Sequence, residues 1–115
     1  ATTVAEVHHR LMVLEAVERF ALPPRSAVRW LEEHPEQLVT MERPGRAIAS
    51  ILSSPMRFLP VDREELAAAV QISRHVGLLT NDAMLVAAAR RHAISIVASN
   101  DRDFQRVPDL QLALP

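Results

Sequence analysis

Acidic side chains follow an apolar run near the end of this chain, where a β-strand is expected to stop. The segment SNDRDF (99–104) comes directly after the run ISIVA (94–98). Asn and Asp favour turns because their side chains hydrogen-bond to nearby backbone groups. Carboxylates that crowd together repel one another, however, unless a divalent cation is bound between them. The segment is therefore interpreted either as a simple turn or as part of an acidic metal site.

Composition excludes several other kinds of chemistry. The chain has 115 residues, of which 49% are apolar and 23% are charged, as expected for one globular domain over residues 1–115. It contains no Cys, which excludes disulfides, thiolate zinc sites and Cys nucleophiles. All thirteen basic residues are Arg and only two residues are Gly. Lysine-based catalysis and glycine-rich phosphate loops are therefore excluded.

Charge and hydropathy give weaker indications about location and partners. The net charge of −1 argues against a protein that binds nucleic acid through a general basic surface, but not against an enzyme with a local basic rim. No apolar run is long enough to span a bilayer, and the start of the sequence lacks the pattern of a secretory signal. We therefore expect a cytoplasmic protein with no membrane association.

Apolar periodicity predicts alternating helices and strands. Helices are expected over 3–20, 24–34, 44–52, 62–75 and 81–91, and strands over 56–61, 94–98 and 110–114. Asp62 is expected to cap the fourth of these helices. This alternation is typical of a parallel sheet covered by helices on both faces, in which functional sites lie at the carboxyl ends of the strands. We expect Ile94, Ile96 and Ala98 to be buried in their strand, and Phe104 to anchor the following loop in the core.

Four carboxylates could meet at that edge of the sheet. Asp101 and Asp103 follow a predicted strand, and Asp82 lies in the first turn of a predicted buried helix. Glu6 would join them if the opening helix also follows a strand. Ligands that are all oxygen favour Mg²⁺ or Mn²⁺, and such ions are typical of enzymes that cleave phosphodiesters.

Simpler roles stay open for each acid at this point. Asp82 could stabilise the helix dipole, and Glu6 could form an ion pair with Arg10, which lies one helical turn later. Asp103 could cap the turn that brings Phe104 into the core.

The last third of the chain resembles a known family. The segment LLTNDAMLVAAARRHAISIVASNDRDFQRVPDLQLALP (78–115) is similar to the C-terminal half of PIN domains, in particular VapC-type toxins of toxin–antitoxin pairs. The pair Asp82-Ala83 and the segment 99–104 carry the resemblance. The opening TTVAEVHHRL (2–11) resembles the family segment that bears a helix glutamate, here Glu6.

The resemblance implies a fold and an activity. The fold is a three-layer α/β/α arrangement in which helices flank a parallel sheet, with the N-terminal strand or strands absent from this chain. The activity is that of a Mg²⁺- or Mn²⁺-dependent endoribonuclease in which the metal activates water. The implied catalytic and metal-binding acids are Glu6, Asp82 and Asp101, with Asp103 as an additional acid. Ser99 would support the site, and we expect Asn100 beside it to do the same. From its position between the two acids of the loop, Arg102 is expected to contact RNA phosphates, with Arg10 as a further candidate.

The resemblance also implies partners. A toxin of this kind would bind RNA and an antitoxin protein, and it would form a homodimer. We expect the apolar residues Met12, Phe20, Leu22 and Trp30 to line a groove for such a partner, although they could equally be core residues. The family's first Asp, on an opening strand, has no counterpart here, so we expect the domain to be N-terminally incomplete. The alternatives are a catalytically inactive PIN-like interaction module and another Mg²⁺ phosphohydrolase.

Overall fold

The computed structural model of the chain describes residues 2–115, with the side chain of Thr2 left aside. These residues form two compact units, one ending at Phe58 and the other spanning Leu59–Pro115.

The first unit consists of helices. They are α1 (Thr2–Phe20), α2 (Pro24–Glu33), α3 (Pro35–Leu38) and α4 (Arg43–Leu52). Proline lies in the first turn of α2, α3 and α4, where its missing N–H costs no helical hydrogen bond. The predicted helices over 3–20, 24–34 and 44–52 are thus confirmed.

Helix α1 packs against α2 and α4 in this unit. Ala16, Ala27 and Leu31 are buried between the helices. The ring centroids of Phe20 and Trp30 are 4.5 Å apart, and the Trp30 ring stacks on His34 at 4.1 Å. Both Phe20 and Trp30 are nevertheless only half-buried, so part of each side chain is exposed to solvent.

The second unit begins with a helical hairpin of α5 (Arg63–Val76) and α6 (Thr80–Arg91). Asp62 caps α5 as predicted, because its side chain accepts a hydrogen bond from the amide of Glu64 while the Glu65 side chain accepts from the amide of Asp62. Gly77 ends α5 with a φ of 81°, a left-handed conformation that glycine adopts without strain.

Two short strands complete this unit. Strand β1 (Ile96–Ala98) pairs in parallel with β2 (Gln111–Ala113), and the 3₁₀ helix Arg102–Arg106 lies between them in the chain. In their register Val97 faces Leu112 across the ladder. The predicted parallel pairing is therefore confirmed. The structure shows a mixed helical fold with a small two-stranded sheet, and it does not show the expected three-layer arrangement.

Two predictions about strands are wrong. Residues 56–62 are neither helix nor strand, although a strand was expected over 56–61. Pro60 interrupts that segment and cannot donate a hydrogen bond to a sheet. In β1 the buried residue is Val97, at 9% exposure, whereas Ile94 and Ile96 are 41% and 55% exposed and Ala98 is also exposed. Successive side chains point to opposite faces, and the residue on the covered face is Val97.

The core of the second unit joins the hairpin to the strands. It contains Ala83 and Val86 from α6, Val97 from β1, and Phe104 and Val107 from the segment that links the strands. The predicted burial of the Ala-rich helix and the anchoring of Phe104, at 3% exposure, are confirmed. None of the helices in the described part of the chain is long and apolar enough to cross a membrane.

Candidate functional site

The segment after β1 is held by hydrogen bonds from the backbone to side chains. The amide of Asp101 donates to Oγ of Ser99 at 3.0 Å, and the amide of Asp103 donates to Oδ1 of Asp101 at 2.9 Å. Asp101 thereby caps the 3₁₀ helix, and Phe104 fixes that helix in the core. The segment thus forms a turn, and the Asp101 residue at the end of the strand is exposed. Asn100 is exposed beside it. The role of Asp101 as a metal ligand stays a prediction.

Asp82 lies at the start of α6, where sequence placed it, and it is half-buried. Residues 92–95 connect α6 to β1. Ala83, next to Asp82, and Phe104, three residues after Asp101, belong to the same core cluster. The convergence of Asp82 and Asp101 at one end of this unit stays a prediction.

Asp103 has a partner that sequence reasoning missed. Its Oδ1 forms an ion pair with Nη2 of Arg106 at 3.0 Å, and Nη1 of Arg106 donates to the carbonyl of Gly77 at 2.7 Å. The signal available in the sequence was the spacing of three residues between the two charges. Three residues make one turn of a 3₁₀ helix, so the two side chains lie on the same face.

Glu6 lies in the other unit, on α1. Its Oε1 accepts from Nη2 of Arg10 at 3.0 Å, which is the helical ion pair considered as the alternative to metal binding. Both side chains are largely exposed. The convergence of Glu6 with Asp82 and Asp101 stays a prediction.

The groups that could bind a metal ion in this unit are carboxylates. Within residues 2–115, no three His, Asp or Glu side chains form a group that could hold a metal ion. Mg²⁺ is often bound through only one or two carboxylates, with water and substrate phosphates as its other ligands. Asp82 and Asp101 thus fit Mg²⁺ or Mn²⁺ in ligand type, with fewer protein ligands than the sequence predicts.

The arginines of the second unit fall into two classes. Arg90 binds Asp109 through two hydrogen bonds of 2.9 and 2.7 Å, which lower the pKa of Asp109. Arg91 pairs with acids at the start of α5. Arg102, by contrast, is exposed, and its side chain forms no hydrogen bond or ion pair within the described range. Its guanidinium is therefore available to a ligand.

Comparison with known proteins gives one family. Residues 40–110 match the PIN domain family, a range that includes Asp82, Asp101 and Asp103 and leaves out Glu6 and Arg10. No curated protein and no solved structure matches the chain.

Proposed function

Because the chain belongs to the PIN domain family, whose members are generally nucleases that use divalent metal ions, we propose that it is a metal-dependent endoribonuclease. The observation that carries this proposal is the position of the acids in the matched range. Asp82 lies in the first turn of a largely buried helix, and Asp101 lies three residues before Phe104, which shares a core cluster with Ala83 of that helix. The reaction would be hydrolysis of RNA phosphodiesters by water, without a covalent intermediate.

In this proposal Asp82 and Asp101 hold Mg²⁺ or Mn²⁺, with Glu6 and Asp103 as further acids. The bound ion would activate water and neutralise charge on the phosphate. The chain's own contribution is to orient Asp101. Its amide is bound by Ser99, its Oδ1 by the amide of Asp103, and the loop is anchored by Phe104. Because the cap uses Oδ1 of Asp101, Oδ2 would be the atom that binds the ion.

Arg102 is proposed to bind RNA phosphates. It lies between the two acids of the loop, and its side chain has no competing partner in the part of the chain that the structure describes. Arg10 is a weaker candidate, because its guanidinium already binds Glu6. The net charge of −1 argues against a broad basic surface, so we expect RNA binding to depend on a few local arginines.

We also propose that the enzyme is the toxin of a toxin–antitoxin pair and that it forms a homodimer. The support lies in the first unit, where apolar residues of α1, α2 and the segment between them are only half-buried: Met12, Phe20, Leu22 and Trp30. An amphipathic helix of an antitoxin or of a second copy could pack on them.

A catalytically inactive interaction module is the second candidate. It is favoured by the absence, among residues 2–115, of any three acids grouped for metal binding, and by the ion pairs that occupy Glu6 and Asp103.

The test is a double variant, Asp82→Asn with Asp101→Asn, in the full chain. Calorimetry measures Mn²⁺ affinity, and a labelled single-stranded RNA measures cleavage. We expect the double variant to lose RNA cleavage. Its Mn²⁺ affinity should fall by more than the roughly 10- to 100-fold that is typical when a residue supporting a metal ligand is replaced. Asp109→Asn, the same change at the residue that pairs with Arg90 in the last turn of α6, should leave both unchanged.

Each contrary result has a clear meaning. Unchanged Mn²⁺ affinity in the double variant would show that these acids do not bind the metal. Mn²⁺ binding without cleavage of any RNA by the unmodified chain would favour the inactive module.

A further inference from the structure

Two separate segments carry the acids of the proposed site. One is the loop 99–103 after β1, and the other is the turn 77–79 together with the first turn of α6, which carries Asp82. An acid on each segment can act on one ligand only if the two segments keep a fixed separation. Displacements of about 1 Å in such an arrangement are enough to lower catalysis strongly.

Each segment is well ordered within itself. In the turn, the amide of Gly77 donates to the carbonyl of Ser73 at 3.0 Å, and Leu78 is 5% exposed. The hydroxyl of Ser73 also donates to the carbonyl of Leu78. In the loop, the hydrogen bonds described above connect Ser99, Asp101 and Asp103 in sequence. A fixed separation also requires a contact between the loop and the turn.

Arg106 makes that connection. Its guanidinium binds the carboxylate of Asp103 with Nη2 and the carbonyl of Gly77 with Nη1. A planar guanidinium can satisfy two acceptors on different segments at once, whereas an ammonium group offers no such fixed geometry. Because the amide of Asp103 in turn binds Oδ1 of Asp101, the position of Arg106 is transmitted to the proposed ligand.

The other arginine pairs of this unit lie elsewhere. Arg90 and Arg91 are in the last turn of α6, at the end of the hairpin opposite Gly77. The pair Arg90–Asp109 has side-chain exposures of 39% and 52%, close to the 52% and 50% of Arg106–Asp103. Arg90 therefore provides a matched ion pair at a distance from the acidic loop.

We propose that Arg106 is a positioning residue that fixes the loop of Asp101 and Asp103 against the turn that begins α6. This inference rests on the proposed nuclease function for its catalytic meaning. Arg106 contacts neither the metal nor the RNA in this role. Its positive charge also reduces the repulsion between Asp101 and Asp103.

The experiment compares Arg106→Ala, Arg106→Lys and Arg90→Ala with the unmodified full chain. Calorimetry measures the affinity for Mn²⁺ alone, steady-state cleavage of a single-stranded RNA gives kcat and KM, and hydrogen exchange reports protection at 77–80 and 99–104. We expect Arg106→Ala to lose about 10- to 100-fold in Mn²⁺ affinity and in kcat, with KM unchanged. Protection should be lost in both segments. Arg106→Lys should recover only part of these effects, and Arg90→Ala should show none of them.

Several outcomes overturn the proposal. Normal protection at 77–80 and 99–104 in Arg106→Ala would do so whether or not the chain cleaves RNA. Equal losses of Mn²⁺ affinity and kcat in Arg106→Ala and Arg90→Ala would also overturn it, because they would indicate general destabilisation. A raised KM with unchanged kcat in Arg106→Ala would overturn it as well, because it would indicate direct RNA binding. If the unmodified chain neither binds Mn²⁺ nor cleaves RNA, the proposed function fails, and hydrogen exchange still decides whether Arg106 joins the segments.

Discussion

Arg91 joins the end of α6 to the start of α5 by donating from Nη1 to Oε1 of Glu65, whose side chain is 1% exposed. The other carboxylate oxygen of Glu65 accepts from the amide of Asp62 at 3.1 Å. Hydrogen bonding with Asp62, and then with Arg91, lowers the pKa of Glu65 from 4.5 to about 2. The hairpin that carries Asp82 is thus closed by a buried ionised carboxylate.

We expect the second unit to lose stability in acid because of Glu65. A carboxyl group whose pKa is lower in the folded than in the unfolded state stabilises the fold above its unfolded pKa. That stabilisation is complete above about pH 4.5 and is lost as the pH falls from 4.5 towards 2. Urea denaturation followed by circular dichroism over this pH range measures the change in the free energy of unfolding.

Glu65→Gln is the control for this pH dependence. The amide oxygen of Gln can still accept from the amide of Asp62, but it carries no charge to pair with Arg91. The variant should be less stable than the unmodified chain at pH 7, and the two should converge at low pH. An unmodified chain and a Glu65→Gln variant with parallel stability curves would contradict the assignment.

Sequence predicted the elements around the site well where local signals were strong. The capping of α5 by Asp62, the buried Ala-rich helix and the burial of Phe104 all depend on local patterns. The face of β1 could not be predicted in the same way. An apolar residue occupies both faces of this strand, so only its packing partners decide that Val97 rather than Ile96 is buried.

Contacts between residues that are far apart in the chain also could not be predicted from the sequence. Arg106 binds a backbone carbonyl 29 residues away, and a carbonyl has no signature in the sequence. Glu6 illustrates the opposite case. Its spacing from Arg10 correctly indicated an ion pair, but a pattern within one helix says nothing of where Asp82 and Asp101 lie.

Replacing Asp101 should separate its role as a cap from its role as a ligand. Asn keeps an oxygen that can accept from the amide of Asp103, whereas Ala does not. We expect Asp101→Ala to be about 1 kcal/mol less stable than Asp101→Asn, as is typical for loss of a helix cap. Both variants should lose Mn²⁺ affinity. Urea denaturation and calorimetry measure the two effects, and equal stability of the two variants would exclude the cap.

Phe104 should contribute mainly to stability. It is 3% exposed in the core of the second unit, so Phe104→Ala removes a large buried ring. Such changes typically cost about 3–5 kcal/mol in the free energy of unfolding. Phe58→Ala makes the same chemical change at a residue that is 40% exposed, and it should cost clearly less. Equal losses in the two variants would show that Phe104 does not anchor the acidic loop.

Arg102 should affect RNA binding without affecting the fold. Its guanidinium is exposed and makes no hydrogen bond or ion pair with any residue from 2 to 115, so Arg102→Ala should unfold at the same urea concentration as the unmodified chain. A contact with one phosphate of single-stranded RNA contributes about 0.7 to the slope of log affinity against log salt concentration. We expect that slope to fall by about this amount in Arg102→Ala, to a similar extent for RNAs of different sequence. Fluorescence anisotropy of labelled RNA in metal-free buffer, over a series of KCl concentrations, measures the affinity and its slope for each RNA.

Arg63→Ala is the control for Arg102→Ala. It removes another exposed arginine, at the start of α5, and should leave the slope unchanged. Equal slopes for Arg102→Ala and the unmodified chain would show that Arg102 does not contact the RNA backbone.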